Sequence, residues 1–164
     1  MRMQNSAKVV EKKYNSDLGG SFMEIRTSCI NDFQEIYNLF TQLWPNKELH
    51  KQELLVVFKR GLISGKDYYL SAVENGKVIG FSAFYIANNF WQEGIIAYDY
   101  GMIVDEKARG QGIGKSLIDK ACEIAKELGC KRFELDSGFQ REGAHKFYES
   151  IGFEKRAYLF SKIL

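Results

Sequence analysis

Between residues 109 and 115 the chain reads Arg-Gly-Gln-Gly-Ile-Gly-Lys, three alternating glycines flanked by two cations. Small residues let a backbone approach a ligand closely, and the exposed N–H groups and positive dipole end at a helix start favour an anion. Arg109 and Lys115 add positive charge, so the expected occupant is a pyrophosphate. The plainer reading of the same glycines is a tight strand-to-helix turn. Two known phosphate loops do not fit. A Walker A loop, G-x-x-x-x-G-K-[ST], finds Gly114, Lys115 and Ser116 in place but Arg109 where its first glycine belongs. A dinucleotide fingerprint, G-x-G-x-x-G, meets Leu117 in one frame and Lys115 in the other.

The elements around this stretch are legible from periodicity. Residues 22–27 read as a short strand. Asn31 offers a helix N-cap with Gln34 three residues on, and Phe33, Ile36, Tyr37, Phe40 and Leu43 follow at helical spacing until Pro45. A second helix is expected over about 48–60, with Leu49, Val56 and Val57 inward. Residues 68–74 and 77–86 are β-rich and flank Asn75-Gly76, a strong hairpin signal because both residues must take positive φ. Residues 95–104 read as a longer strand running into the glycine loop. Over 113–128, Leu117, Ile118, Ala121, Ile124, Ala125 and Leu128 share a helical face, with Gly129 as the residue past its end. A strand over 131–136, a short helix over 142–150 closed by Gly152, and a last strand over 153–163 complete the pattern. The fold class is α/β of the α+β kind, with one β-α-β crossover.

Composition limits what this domain does. The 164 residues suit one domain, are 45% hydrophobic and 27% charged, and carry 23 Lys and Arg against 21 Asp and Glu. A formal charge of +2 lacks the basic excess that a phosphate backbone demands, so nucleic acid is not an expected partner. No apolar run approaches the ~20 residues that span a bilayer, and the start of the chain lacks a signal-peptide stretch, so no membrane is expected and the setting is read as cytoplasmic. Cys29, Cys122 and Cys130 form no C-x-x-C pair and read as reduced, buried thiols. His50 and His145 have no ligand-spaced partners, so no metal is expected. Residues 1–21 read as a loose polar extension ahead of one domain over 22–164.

The run Met102-Ile103-Val104-Asp105, then RGQGIGKSL, ACEIAKELGC, ELDSG and AHKFYESIGF, closely resembles the GNAT superfamily of acetyl-CoA-dependent N-acetyltransferases. The resemblance covers residues 22–164. It implies a single-domain GNAT-like fold, a twisted, mixed, mostly antiparallel sheet with helices on both faces, and acetyl-CoA as co-substrate. By similarity, the coenzyme diphosphate lies on Arg109, Gly110, Gln111, Gly112, Ile113, Gly114 and Lys115. The pantetheine arm then runs between the strands at 95–104 and 131–136, bound by backbone groups of Met102, Ile103 and Val104. An N–H of Met102 or Ile103 would face the thioester oxygen. Tyr148 matches the family's usual general acid, which suits a thiolate leaving group of pKa about 8.5. The amine must lose a proton, and Asp99 on the strand at 95–104 is the expected base, with Glu93 and Asp136 as alternatives.

The sequence also departs from the family pattern. Glu106 replaces a common loop proline, Arg141 stands where an asparagine is frequent, and Tyr100 and Gly101 stand where related sequences carry acidic residues. The expected activity is direct acetyl transfer to a primary amine, on a small molecule or a protein. A non-catalytic acyl-CoA sensor is the alternative, and a nucleotide enzyme using the near-Walker loop a third, against which Arg109 speaks. Phe90, Trp91, Tyr98, Tyr100 and Tyr158 are read as an amine cage, as core, or as a dimer face. Similar enzymes often form homodimers, so a homodimer is one state open to this chain.

Overall fold

The structure is a computed structural model that describes residues 23–164. The expected extension over 1–21, and Phe22 at the head of the first strand, lie outside the described residues. The elements run β1 (Met23–Thr27), α1 (Phe33–Leu43), α2 (Lys51–Leu62), β2 (Asp67–Glu74), β3 (Lys77–Asn89), β4 (Gly94–Val104), α3 (Ile113–Glu127), β5 (Phe133–Leu135) and α4 (Glu142–Ser150), with short 3-10 turns before α1 and α3. The strands form one sheet in chain order, antiparallel from β1 to β4, with β5 parallel to β4. This is the mixed, mostly antiparallel architecture expected. Asn75 and Gly76 take φ of 51° and 77°, as the hairpin between β2 and β3 requires.

Helices cover both faces. On one side Phe33, Ile36 and Phe40 of α1 and Phe58 of α2 pack on Tyr69, Phe81 and Ile103 of the sheet. On the other, Ile113, Leu117, Ala121 and Ala125 of α3 pack on Leu70, Ala72, Phe84 and Ala97. The side chains alternate across the strands, so one sheet serves two cores. Asp32 ties the first of these layers together. Its buried carboxylate accepts two bonds from Arg26 at 2.7 Å each, the Cys29 N–H at 2.9 Å and the Ser71 hydroxyl at 3.1 Å. Burial works against ionising this carboxyl, but the Arg26 bonds and the two other donors outweigh it and hold its pKa below the usual 3.8.

Several expectations are corrected. Asn31 does not cap α1: the chain first makes a 3-10 turn over Ile30–Asp32, and it is the Asp32 carboxylate that reaches back to the Cys29 N–H. Val56 and Val57 face outward, about half exposed, because α2 turns Leu54, Leu55, Phe58 and Leu62 to the core. The five consecutive apolar residues 54–58 carry no phase of their own. Cys29 is exposed, and Cys122 and Cys130 are only partly buried. The strand expected over 131–136 is the three residues of β5. The last expected strand, 153–163, is not formed: beyond Phe153 the backbone makes no hydrogen bond to the described residues. Strand-forming residues such as Tyr158, Phe160 and Ile163 favour an extended segment, but a strand exists only beside a partner edge.

Candidate active site

The centre of the sheet is held open by a mismatch of strand lengths. β5 pairs with β4 only from Ala97 to Asp99, so among the described residues the stretch of β4 from Tyr100 to Val104 has no strand on that side. A bulge adds to the divergence: Ala83 opposes Gly101 while Phe84 opposes Asp99, which leaves Tyr100 as the extra residue. The Asp105 N–H donates to the Ile79 carbonyl of β3 at 2.8 Å. Backbone groups alternate along an antiparallel strand, so Met102 and Val104 point theirs away from β3 into the open gap, and Ile103 points its own at β3. Met102 is thus the residue of the expected pair whose N–H faces the gap.

The glycine loop closes one end of this gap. Gly110 and Gly112 have φ of 80° and 81°, a region closed to most side chains, and a 3-10 turn over Glu106–Ala108 feeds them. Gly112 caps α3, whose first N–H groups have no preceding helical carbonyl to bond. Ile113 sends its side chain into the core, 3% exposed, so only its backbone faces the loop. Arg109 lies across the loop, its Nε donating to the Val104 carbonyl at 3.1 Å, and Gln111 is exposed. Lys115 pairs with Asp119 one turn on. Gly114 permits the close approach that joins the parts: a Cβ there would lie 3.1 Å from Met102 Cε, 3.3 Å from Phe147 Cζ and 3.7 Å from Val104 Cγ2. The start of α3, the open edge of β4 and α4 therefore converge on one point.

Tyr148 projects from α4 to that point, its hydroxyl 3.6 Å from Met102 Sδ. Burial raises its pKa above the ordinary 10, and the negative charge of Asp99 adds to the effect. Asp99 is 3% exposed, on the α3 side of the sheet. One oxygen accepts the Ser82 hydroxyl at 2.7 Å, the other the Gly101 N–H at 3.0 Å. Burial pushes its pKa up to about 6, against the pull of those two donors. The alternative Glu93 sits in the turn before β4 with φ of 49° and is exposed, whereas Asp136, just past β5, accepts the Tyr98 hydroxyl at 2.7 Å.

A pocket of about 330 Å³ opens beside β4 at α2, lined by Val57, Arg60, Gly61, Asp67, Tyr69, Tyr85 and Tyr100. The rings of Tyr98, Tyr85 and Tyr100 stand in a row with centroids 5.6 and 5.7 Å apart. A phenol donates one proton, so the contacts of Tyr100 with Tyr69 at 3.1 Å and Asp67 at 3.0 Å form a chain in which Tyr69 donates to Tyr100 and Tyr100 to Asp67. Burial and this chain raise the pKa of Tyr100. Phe90 and Trp91 lie outside the row, exposed at the turn between β3 and β4.

The structure thus brings the loop, Met102, Val104 and Tyr148 together, and sets Asp99 beneath them. Ser82 and the Asp67, Tyr69 and Tyr85 wall were not singled out from the sequence. Ser82 carries no motif, and its meaning comes only from the register that sets it beside Asp99. Of the departures, Glu106 starts the 3-10 turn and its N–H donates to Gln42 Oε1 at 3.0 Å, while Arg141 donates to the Leu43 carbonyl at 2.9 Å and so braces α4 against α1.

The chain matches the Acetyltransferase (GNAT) family across residues 33–153, well over half its length, and it belongs to that family. An aminoalkylphosphonate N-acetyltransferase of Salmonella typhimurium is 29% identical over 141 residues, 86% of this chain and 91% of the relative. A solved Trypanosoma brucei acetyltransferase superposes with a TM-score of 0.72 at 26% identity, over 87% of this chain and 99% of that one. An aminoglycoside N-acetyltransferase in complex with CoA shares the fold, with a TM-score of 0.77 at 23% identity over 87% and 96% of the two chains.

Proposed function

We propose that this chain transfers acetyl from acetyl-CoA directly to the primary amine of a small molecule. The observation that carries the reading is the meeting of the unpaired edge of β4 at Met102 and Val104 with the Tyr148 hydroxyl, 3.6 Å from Met102 Sδ. The coenzyme supplies the thioester. Its diphosphate suits the loop from Arg109 to Lys115, and its amide-bearing arm suits the gap-facing backbone of Met102 and the Val104 N–H, which bond it as they would a strand. The N–H of Met102 then faces the thioester oxygen and stabilises the charge that develops there as the amine attacks.

As the new C–N bond forms and the C–S bond breaks, the electron pair leaves on sulfur. Tyr148, like any phenol, is protonated at neutral pH, and its raised pKa makes it a weaker acid still. Full transfer to a thiolate of pKa about 8.5 is uphill for such a phenol, so Tyr148 acts chiefly by hydrogen-bonding the departing sulfur. Asp99 is the proposed proton acceptor for the amine, by way of water. Its pKa of about 6 leaves it ionised at neutral pH yet more basic than an ordinary carboxylate.

The pocket at α2 is the proposed acceptor site. Asp67 and Arg60 place a carboxylate and a guanidinium in one lining, which suits an amine whose other end is anionic. Aminoalkylphosphonates, named for the Salmonella relative, have that form. The test is acetyl-CoA-dependent thiol release across aminoalkylphosphonates, amino sugar phosphates, polyamines and aminoglycosides. Release with the anionic amines that falls in Tyr148→Phe supports the reading. Release only with polycations, unaffected by Arg60→Ala, overturns the acceptor assignment.

A further inference from the structure

We propose that Tyr69, buried beneath α2, is a positioning residue for the acceptor: through Tyr100 it fixes the Asp67 carboxylate as the counter-ion of the incoming ammonium. The role rests on the reading of the pocket at α2 as the acceptor site, and it adds the device that sets the charge of that site. Asp67 and Tyr69 alternate onto the same face of β2, the face that α2 covers. Tyr100 reaches that face from β4, at the bulge that re-aims its side chain. Side chains from two strands thus meet through their oxygens, Tyr69 to Tyr100 at 3.1 Å and Tyr100 to Asp67 at 3.0 Å.

Tyr69 is the fixed member of this chain of bonds. It is 6% exposed, and its ring stacks on Phe58 of α2 at 5.3 Å and meets Phe81 of β3 edge to face at 5.6 Å. Its hydroxyl occupies a slot that only a glycine leaves open, because a Cβ on Gly61 would stand 1.8 Å from Tyr69 Oη. Tyr100 is 39% exposed, so its phenol depends on its bonds for a single orientation.

The direction of the bonds decides what the acceptor meets. Tyr69 donates to the Tyr100 oxygen, and a phenol that accepts a bond donates more strongly, so the Tyr100 proton is committed to Asp67 Oδ1. Asp67 Oδ2 is left with no hydrogen-bond partner among the described residues. Arg60, in the same lining, makes no ion pair among the described residues, so the two opposite charges do not cancel. One carboxylate oxygen is held and the other is open, which gives an ammonium one directed, charge-assisted bond. The acceptor nitrogen is thereby held in one place before its proton leaves.

The test is steady-state thiol release by wild type, Tyr69→Phe, Tyr100→Phe, the double variant and Asp67→Asn, with the amine of the panel above that wild type turns over fastest. Tyr69→Phe keeps both ring contacts and removes only the hydroxyl. The expected result is a KM for the amine raised about 3–10-fold in Tyr69→Phe, the worth of one neutral hydrogen bond, with kcat and the KM for acetyl-CoA within about two-fold. Tyr100→Phe should raise the same KM at least as much, and adding Tyr69→Phe to it should change nothing further, because Tyr69 acts through Tyr100. Asp67→Asn should raise it more than either, since it removes the charge. A wild-type KM in Tyr69→Phe beside a raised one in Asp67→Asn overturns the positioning role and leaves the acceptor site standing. Additive losses in the double variant overturn the role too, as does a Tyr69→Phe loss confined to kcat, which marks a packing defect. A wild-type KM in Asp67→Asn removes the acceptor assignment and the role with it, and no release from wild type with any amine overturns the transferase reading and the role together.

Discussion

Replacing Asp99 by asparagine should make the protein more stable and less active at once. In the fold this carboxyl titrates at about 6, against 3.8 for the free side chain. The difference of about 2.2 units, at 1.36 kcal/mol each, is about 3 kcal/mol of penalty for holding the ionised form. The sign follows from proton counting. Between pH 3.8 and about 6 the folded state binds more protons than the unfolded one, so stability falls as pH rises through that window and stays low above it. Asparagine keeps the geometry, its oxygen accepting from the Gly101 N–H and its amide donating to the Ser82 oxygen, and it carries no charge. Urea unfolding should place Asp99→Asn up to about 3 kcal/mol above wild type near pH 8, a midpoint higher by about 1–2 M. Below about pH 4 the two should coincide. Turnover at pH 8 should fall by about 10²-fold or more, the loss typical of a missing proton acceptor. An asparagine variant less stable than wild type at pH 8, or shifted equally at both pH values, would refute the account of a buried charge. Full activity in that variant would pass the role of base to Asp136.

Tyr148→Phe should lower kcat about 10²-fold while leaving the KM for acetyl-CoA within a few-fold, measured by steady-state thiol release. Gly112→Ala meets no side chain within 4 Å but must hold φ near 81°, so it should cost about 1–2 kcal/mol in thermal unfolding and weaken coenzyme binding in calorimetry. Asp32→Ala removes both bonds from Arg26, which keeps Glu24 and the Thr27 carbonyl, and takes the acceptor from the Cys29 N–H, so it should destabilise by about 1–3 kcal/mol. The Asp32 pKa is lowered in the fold, so its contribution is complete above pH 3.8 and fades as pH falls through the folded value. The cost of Asp32→Ala should therefore shrink in acid, where urea midpoints of variant and wild type draw together.

What the sequence made legible was local. Asn75-Gly76 specified its hairpin through φ, α3 announced itself by Leu117, Ala121 and Ala125 on one face, and the glycine loop lay between a strand and a helix as read. What it hid was relational. The five apolar residues from 54 to 58 gave α2 no phase until α1 and the sheet chose one. Asn31 has the residue type of a cap for α1, but neither it nor Asp32 caps that helix with its side chain, because the Asp32 carboxylate turns back to Arg26 of β1 and the Cys29 N–H. The bulge at Tyr100 arises from a register of β3 on β4 that no single strand encodes. Ser82 matters only because that register sets it against Asp99. The segment past Phe153 is rich in strand-forming residues such as Tyr158, Leu159, Phe160 and Ile163, but composition alone supplies no partner edge.

A coenzyme A site formed by the open edge of β4 and the loop from Arg109 to Lys115 is the proposal on which the transferase reading rests. Calorimetric titration of the full chain with acetyl-CoA tests it most directly, with Gly112→Ala beside it. The account predicts one site per chain with micromolar affinity, weakened in the variant. An absence of binding, or binding of equal strength in wild type and Gly112→Ala, would contradict it.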